Sequence, residues 1–208
     1  MLDFILHIDK HLEQIIANYG TLTYLILFFI IFAETGFVVT PFLPGDSLLF
    51  AAGALAAREG ANLNVWLLII LLIVAAFVGN LVNYFIGNYV GPTFLEKEKI
   101  PFIKKSHIEK TQAFYDKYGA LAIVTGRFAP IIRTFVPFVA GIGKMDWKKY
   151  VLYTLVGAVA WVGSITILGY LIGNLPWVKA HFSAIAIGII LISVLPSVWI
   201  AAKEYFKW

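Results

Sequence analysis

The chain contains no cysteine, which excludes a disulfide framework, a thiolate metal site and a thiol nucleophile. Charge is nearly as scarce: 13% of its 208 residues are Asp, Glu, Lys or Arg, about half the share of an ordinary soluble domain. Histidine is limited to His7, His11, His107 and His181. What fills the chain instead is apolar, 61% of residues, with a mean hydropathy of +0.86. That excludes a water-soluble fold of ordinary composition and predicts one compact multi-pass membrane domain with no stretch left for a soluble catalytic domain. The net charge of +4 and pI near 9.2 would suit nucleic acid, but lysine and arginine gather in the cytoplasmic loops of membrane proteins, so no nucleic-acid partner is expected. Asp3 and Asp9 precede the first long apolar run and no small-residue cleavage site follows a basic start, so no removable signal peptide is expected.

Residues 3 to 18 put Phe4, Ile8, Leu12, Ile15 and Ile16 on one helical face and Asp3, His7, Lys10, Glu13 and Gln14 on the other, the pattern of a helix lying in the interface. Residues 21 to 33 are apolar but stop at Glu34, and 35 to 57 are interrupted by Pro41, Pro44, Gly45 and Asp46, so neither half spans comfortably. Residues 65 to 87 are long enough to cross, with Asn80 and Asn83 expected to face protein or a wet cavity. A polar segment from about 91 to 118 carries six lysines. Residues 119 to 143 are again apolar but broken by Arg127, Pro130, Arg133 and Pro137. Residues 150 to 173 and 182 to 202 read as spans, the last kinked at Pro196.

The basic stretches at 91 to 118 and 144 to 149, with Lys203 and Lys207, fall together on the cytoplasmic side and collect eleven of the sixteen basic residues. Segment 119 to 143 then has both ends on one side and should enter and return as a re-entrant hairpin.

Short strings recur in the same order. Tyr19-Gly20 returns as Tyr118-Gly119, Ala51-Ala52-Gly53 as Val139-Ala140-Gly141, and Tyr84-Phe85-Ile86-Gly87-Asn88 as Tyr170-Leu171-Ile172-Gly173-Asn174. The expected architecture is an all-α integral membrane protein, an inverted repeat with two opposed re-entrant helical hairpins plus spanning helices. Repeat 1 covers about 1–90, a cytoplasmic amphipathic linker about 91–118, repeat 2 about 119–174, and a C-terminal spanning helix about 182–202.

Four charges lie inside otherwise apolar segments: Glu34 and Asp46 in the first hairpin, Arg127 and Arg133 in the second. Unpaired, they would cost on the order of 10 kcal/mol, about 2.5 to 3.5 kcal/mol each, so they must meet partners, water or substrate. Aligning the Tyr-Gly pairs sets Glu34 opposite Arg133. The set reads either as structural ion pairs fixing register or as a site. In a site, Arg127 and Arg133 offer planar forks to phosphate or carboxylate, and Glu34 and Asp46 take and release protons. Pro44-Gly45-Asp46-Ser47 reads as a turn entering a helix, and Pro137 as the first turn of a helix running through Gly141. Pro41 and Pro130 are expected to break the hairpin helices.

His7 and His11 have the i, i+4 spacing of two zinc ligands, but no third ligand stands nearby, so no metal or other cofactor is expected. Trp66, Trp147, Trp177, Trp199 and Trp208 fall near segment ends as interface anchors. Trp161 lies mid-span, where packing against a hairpin is expected. Gly157, Gly163, Gly169 and Gly173 recur along one helix, a sign of close helix packing.

Glu34-Thr35-Gly36 leading to Pro44-Gly45-Asp46-Ser47, then Gly126-Arg127-Phe128-Ala129-Pro130-Ile131-Ile132-Arg133, then Ala140-Gly141-Ile142-Gly143-Lys144-Met145, resemble the DedA family, also called the SNARE-associated or VTT-domain family. The resemblance covers nearly the whole chain. It implies two opposed re-entrant hairpins and a role in moving lipids. Bacterial members are associated with recycling polyprenyl phosphate and with the proton motive force, and eukaryotic relatives are scramblases. The family's essential acids correspond to Glu34 and Asp46 and its essential arginines to Arg127 and Arg133. Many relatives have Gly-Asp where this chain has Gly79-Asn80.

The expected function is a lipid-phosphate translocase, not an enzyme, in the cytoplasmic membrane of a bacterium. Its expected partners are membrane lipids, polyprenyl phosphate above all, protons, and further copies of the chain in a homo-oligomer. The alternatives are a proton-coupled antiporter of small cations or amphipathic drugs, a phospholipid scramblase and a structural membrane factor. An integral-membrane phosphatase would need a nucleophile with a nearby base, and the four histidines lie outside the hairpins.

Overall fold

A computed structural model of the chain describes residues 19–37, 45–58, 63–97, 121–128, 130–173 and 175–181, with positions 184, 185, 188 and 189. The interfacial helix expected at 3–18, Pro41 and Pro44, residues 98–120 and most of the last segment lie outside these residues. Among the described residues all regular structure is helical. The elements are α1 (Leu22–Gly36), α2 (Gly45–Ala56), α3 (Val65–Lys97), α4 (Leu121–Thr125), a 3₁₀ turn (Gly126–Phe128), α5 (Pro130–Ile142), α6 (Trp147–Ile172) and α7 (Pro176–Ala180).

Among the described residues two helices have the length and apolarity to cross a membrane, α3 over Val65–Val90 and α6 over Trp147–Ile172, 26 residues each. At 1.5 Å per residue each runs about 39 Å, more than the roughly 30 Å hydrocarbon core. Both start at a side-chain cap. Asn64 Oδ1 accepts from the Trp66 and Leu67 N–H groups at 2.9 and 3.1 Å, and Asp146 Oδ1 accepts from the Lys149 N–H at 2.9 Å. α3 continues to Lys97, into the stretch expected to form the linker. By contrast, α1 and α2 have only 15 and 12 residues, too few to span singly.

The expectation that Pro137 opens a helix is corrected. α5 starts at Pro130, and Pro137 lies inside it. A proline at the first helical position gives up an N–H that has no helical partner anyway, which is why the start falls at Pro130. Pro137 has no N–H to offer the Arg133 carbonyl four residues earlier. α5 closes on a Schellman turn: the Met145 N–H donates to the Ala140 carbonyl at 3.0 Å and the Lys144 N–H to Gly141 at 3.1 Å. Lys144 takes the left-handed conformation, φ 49°, that this turn demands.

The described residues fall into two compact units. The first gathers α1 up to Ile30, α2, α3 up to Ile73 and α6 from Trp161 onward. Its glycines let backbones touch: a Cβ on Gly53 would overlap the Thr166 carbonyl and crowd the Tyr170 nitrogen, one on Gly169 would overlap the Phe50 carbonyl, and one on Gly173 would strike Ala54. Leu48, Leu49, Phe50, Ala51 and Leu55 of α2 are buried there.

The second unit gathers α1 from Ile31, α3 from Val74, α4, the 3₁₀ turn, α5 and α6 up to Ala160. A Cβ on Gly141 would overlap the Tyr84 carbonyl and crowd the Asn88 nitrogen, and one on Gly87 would overlap the Phe138 carbonyl. Tyr84, Ile123, Val136, Ala140 and Tyr150 form its core cluster. The helix register is the same in both units: Gly53 of α2 and Gly141 of α5 each face the residues three before and one after a partner glycine, Gly169 and Gly87, and that glycine faces the residue three before Gly53 or Gly141. In this register the counterpart of Gly87 is Gly169, rather than the Gly173 of the recurring sequence string.

Among the described residues large apolar side chains also face outward: Phe29, Trp66, Ile70 and Leu171 are more than half exposed, while Glu34, Asn83, Arg127 and Thr154 are buried. An apolar exterior with its charges inside suits a lipid environment.

Candidate functional site

Three of the four charged candidates belong to the second unit. Glu34 sits in the last turn of α1, and Arg133 in α5 donates from Nη2 to Glu34 Oε1. Their side chains are 0% and 3% exposed, so the pair is fully desolvated. Seating Glu34 there requires the end of α1 to lie close against α3, which Gly36 and Gly79 permit: a Cβ on Gly79 would overlap Thr35 Oγ1. Thr35 Oγ1 turns back to donate to the Ile31 carbonyl at 2.8 Å, so its hydroxyl is satisfied within α1.

Arg127 lies in the 3₁₀ turn between α4 and α5. Its side chain is 1% exposed, and Nη2 donates to the Thr154 carbonyl of α6 at 3.1 Å. Gly157, one turn further along α6, makes room for it: a Cβ there would stand 2.8 Å from Arg127 Nε and 2.9 Å from Cδ. Arg127 Nε and Nη1 are buried with no hydrogen-bond partner among the described residues. The Arg133 charge and the Tyr150 side chain are both within electrostatic range of Arg127, and the Tyr150 hydroxyl donates to the Asn80 carbonyl at 2.7 Å.

Asn83 joins these parts. Its Nδ2 donates to the Thr35 carbonyl at 3.2 Å and to the Thr134 carbonyl at 3.0 Å, the residues that follow Glu34 and Arg133. Asn80 and Asn83 are both buried against protein, as their place in an apolar helix requires.

Asp46 belongs to the first unit, in the first turn of α2. One carboxylate oxygen accepts from the Trp161 indole N–H at 2.7 Å. Among the described residues Trp161 is the largest fully buried side chain, and it meets α2 through this bond. Gly45 opens α2, and Gly141 makes the close contact with α3 given above. Trp66, Trp147 and Trp177 are exposed near helix ends. No group of three or more His, Cys, Asp or Glu that would hold a metal ion occurs among the described residues.

Sequence reasoning missed Gly157, the Thr154 carbonyl and the double role of the Asn83 amide. The glycines at 157, 163, 169 and 173 gave a packing signal, but nothing in their spacing separates Gly157, which faces Arg127, from Gly163, which has nothing within 4 Å of its would-be Cβ.

A VTT-domain family model matches residues 43–171. The chain is 48% identical over 198 residues, 95% of its own length and 90% of the relative's, to Protein DedA of Escherichia coli K12. It is 39% identical over 176 residues, 85% of the chain and 77% of the relative, to an uncharacterized membrane protein of Mycobacterium tuberculosis H37Rv. Inner membrane protein YghB of Escherichia coli K12 is 30% identical over 179 residues, 86% of the chain and 78% of that protein. No solved structure matches the chain. The residues that hold the buried charges, Glu34 aside, fall within the matched domain, and the chain belongs to the DedA family of VTT-domain membrane proteins.

Proposed function

We propose that this protein is a flippase for a lipid phosphate, undecaprenyl or another polyprenyl phosphate, in the cytoplasmic membrane of a bacterium. The observation that carries this reading is Arg127. A guanidinium removed from water is costly unless its donors are taken up, yet Nε and Nη1 face no acceptor among the described residues. Glu34 is engaged by Arg133, and no described carboxylate takes up the free Arg127 donors. An oxyanion supplies the missing acceptors, and guanidinium binds phosphate through charge-assisted bonds. Thr154 and Gly157 hold Arg127 from behind, so the site is preorganised for the anion while the lipid tail remains in the bilayer.

In this reading the protein makes and breaks no covalent bond. Glu34 and Asp46 handle protons and link movement to the proton motive force: when Glu34 is protonated it releases Arg133 to the anion, and when ionised it reclaims it. The shared helix register of the two units supports a multi-pass inverted repeat, with α1–α2 and α4–α5 as opposed re-entrant hairpins.

The test is head-group accessibility of polyprenyl phosphate in proteoliposomes, with and without an imposed pH gradient. The wild type should equilibrate the head group across the bilayer faster under a gradient, and Arg127→Ala and Arg133→Ala should each abolish the acceleration. Movement that survives both substitutions overturns the assignment, and cation-dependent proton flux without lipid movement would replace it with an antiporter.

A further inference from the structure

The second unit holds a buried acceptor that the phosphate reading leaves unexplained. Asn83 is 0% exposed, and both hydrogens of Nδ2 are spent on the Thr35 and Thr134 carbonyls. Carbonyls only accept, so the amide cannot be flipped: nitrogen faces the carbonyls and Oδ1 faces away from them. That Oδ1 is buried and takes no hydrogen bond from any described residue, and Asn80 Oδ1, one turn earlier on α3, is in the same state. Through the next peptide group Asn83 is bound to both members of the Glu34–Arg133 pair. Asn80 reaches Arg127 by another route, since its carbonyl takes the Tyr150 hydroxyl one helical turn before Thr154.

A buried polar atom left without a partner costs free energy, and each such atom calls for an explanation. Among the described residues around Arg127 the unmade bonds include its own donors, the Thr154 hydroxyl, and acceptors on Asn83 and Asn80. The phosphoryl group of a diester brings acceptors only, and at Oδ1 would set its oxygen lone pairs against those of the amide. A singly ionised phosphate monoester brings acceptors and one P–OH donor, its second ionisation lying near pH 6. We propose that Asn83 Oδ1 accepts a hydrogen bond from the P–OH of a bound phosphate monoester, making Asn83 a residue that selects monoester over diester head groups. This rests on the phosphate-binding role of Arg127.

The test uses the purified full-length protein in nanodiscs at pH 5.5 and two probes, polyprenyl phosphate and its fluorophosphate analogue. Fluorine replaces the hydroxyl at similar size and leaves a single negative charge, and at pH 5.5 most of the monoester is also singly ionised, so the probes differ chiefly in the donor. The wild type should bind the phosphate roughly tenfold or more tightly than the fluorophosphate, as a site with an unmatched buried acceptor rejects an analogue lacking its donor. Asn83→Ala should bring the two affinities within about twofold, which a general loss of structure would not do because it would weaken both alike. Equal binding of the probes by the wild type overturns the proposal, even if the alanine variant fails to fold, and so does an unchanged ratio in Asn83→Ala. Arg127→Ala should weaken both probes; if it weakens neither, the phosphate reading fails, a result separate from the Asn83 ratio.

Discussion

Arg133 donates to Glu34 across 99 positions of sequence, and both side chains are removed from solvent. Their charges cancel where neither would be tolerated alone, and Asn83 fixes the backbone on both sides of the contact. The pair is therefore a structural joint between α1 and α5.

Breaking this pair on one side should cost more than removing it whole. Arg133→Met or Glu34→Gln leaves a buried partner uncompensated, a loss of about 3–5 kcal/mol in comparable pairs, whereas an apolar or neutral replacement of both is far milder. Thermal unfolding in detergent should show Glu34→Gln/Arg133→Met less destabilised than the sum of the single variants. Strict additivity would mean that the two side chains do not interact.

Much of this joint was legible in sequence, because a charge in an apolar run has few ways to survive and aligning the Tyr-Gly pairs set Glu34 opposite Arg133. The surroundings were not. Arg127 is held by the Thr154 carbonyl, and every residue owns a carbonyl, so no side-chain pattern marks that one. The recurring string at Tyr84–Asn88 and Tyr170–Asn174 pointed to Gly173 as the counterpart of Gly87, yet Gly169 makes the equivalent backbone contact. Close approach depends on which glycine faces the neighbouring helix, and string matching does not encode facing. Pro137 misled for a related reason: proline favours helix starts, but Pro130 had already taken that position in α5.

The Asp46–Trp161 hydrogen bond should couple α2 to the later half of α6. Trp161→Phe removes a buried donor to a carboxylate oxygen and should cost about 1–3 kcal/mol, in addition to any loss of packing. Asp46→Asn retains an acceptor and should cost less. In a double-mutant cycle built on Asp46→Leu and Trp161→Phe, the combined loss should fall short of the sum by the energy of the bond, and a zero coupling energy would refute it.

The glycines of α6 should divide sharply. Gly169→Ala drives a methyl into the Phe50 carbonyl, and Gly53→Ala does the same at Thr166, so both should lower the unfolding temperature markedly. Their counterparts Gly87→Ala and Gly141→Ala, which meet the Phe138 and Tyr84 carbonyls, should behave alike because the contact register is the same. Gly163→Ala is the control: with nothing within 4 Å, it should be neutral or stabilising by up to about 1 kcal/mol from helix propensity. Equal destabilisation at 163 and 169 would contradict the packing described.

Gly157 offers a way to disturb Arg127 without touching its charge. A methyl at 157 would stand 2.8 Å from Nε and 2.9 Å from Cδ, closer than unbonded atoms rest, so Gly157→Ala must push the arginine stem and strain its bond to the Thr154 carbonyl. Gly157 lies on α6, which keeps its backbone hydrogen bonds whatever small residue is present, and alanine favours the helix. The expected outcome is thus a split: a modestly lowered unfolding temperature, since the methyl also comes within 3.3 Å of the Val124 Cα, but binding of polyprenyl phosphate weakened by roughly tenfold, the scale of one misplaced charged hydrogen bond. Arg127→Lys provides the comparison, since its thinner ammonium stem relieves the crowding but loses the planar fork. If Arg127 acts through its position, Gly157→Ala should impair binding in the wild-type background and have much less effect beside Arg127→Lys. Equal losses in both backgrounds would assign Gly157 to helix packing alone.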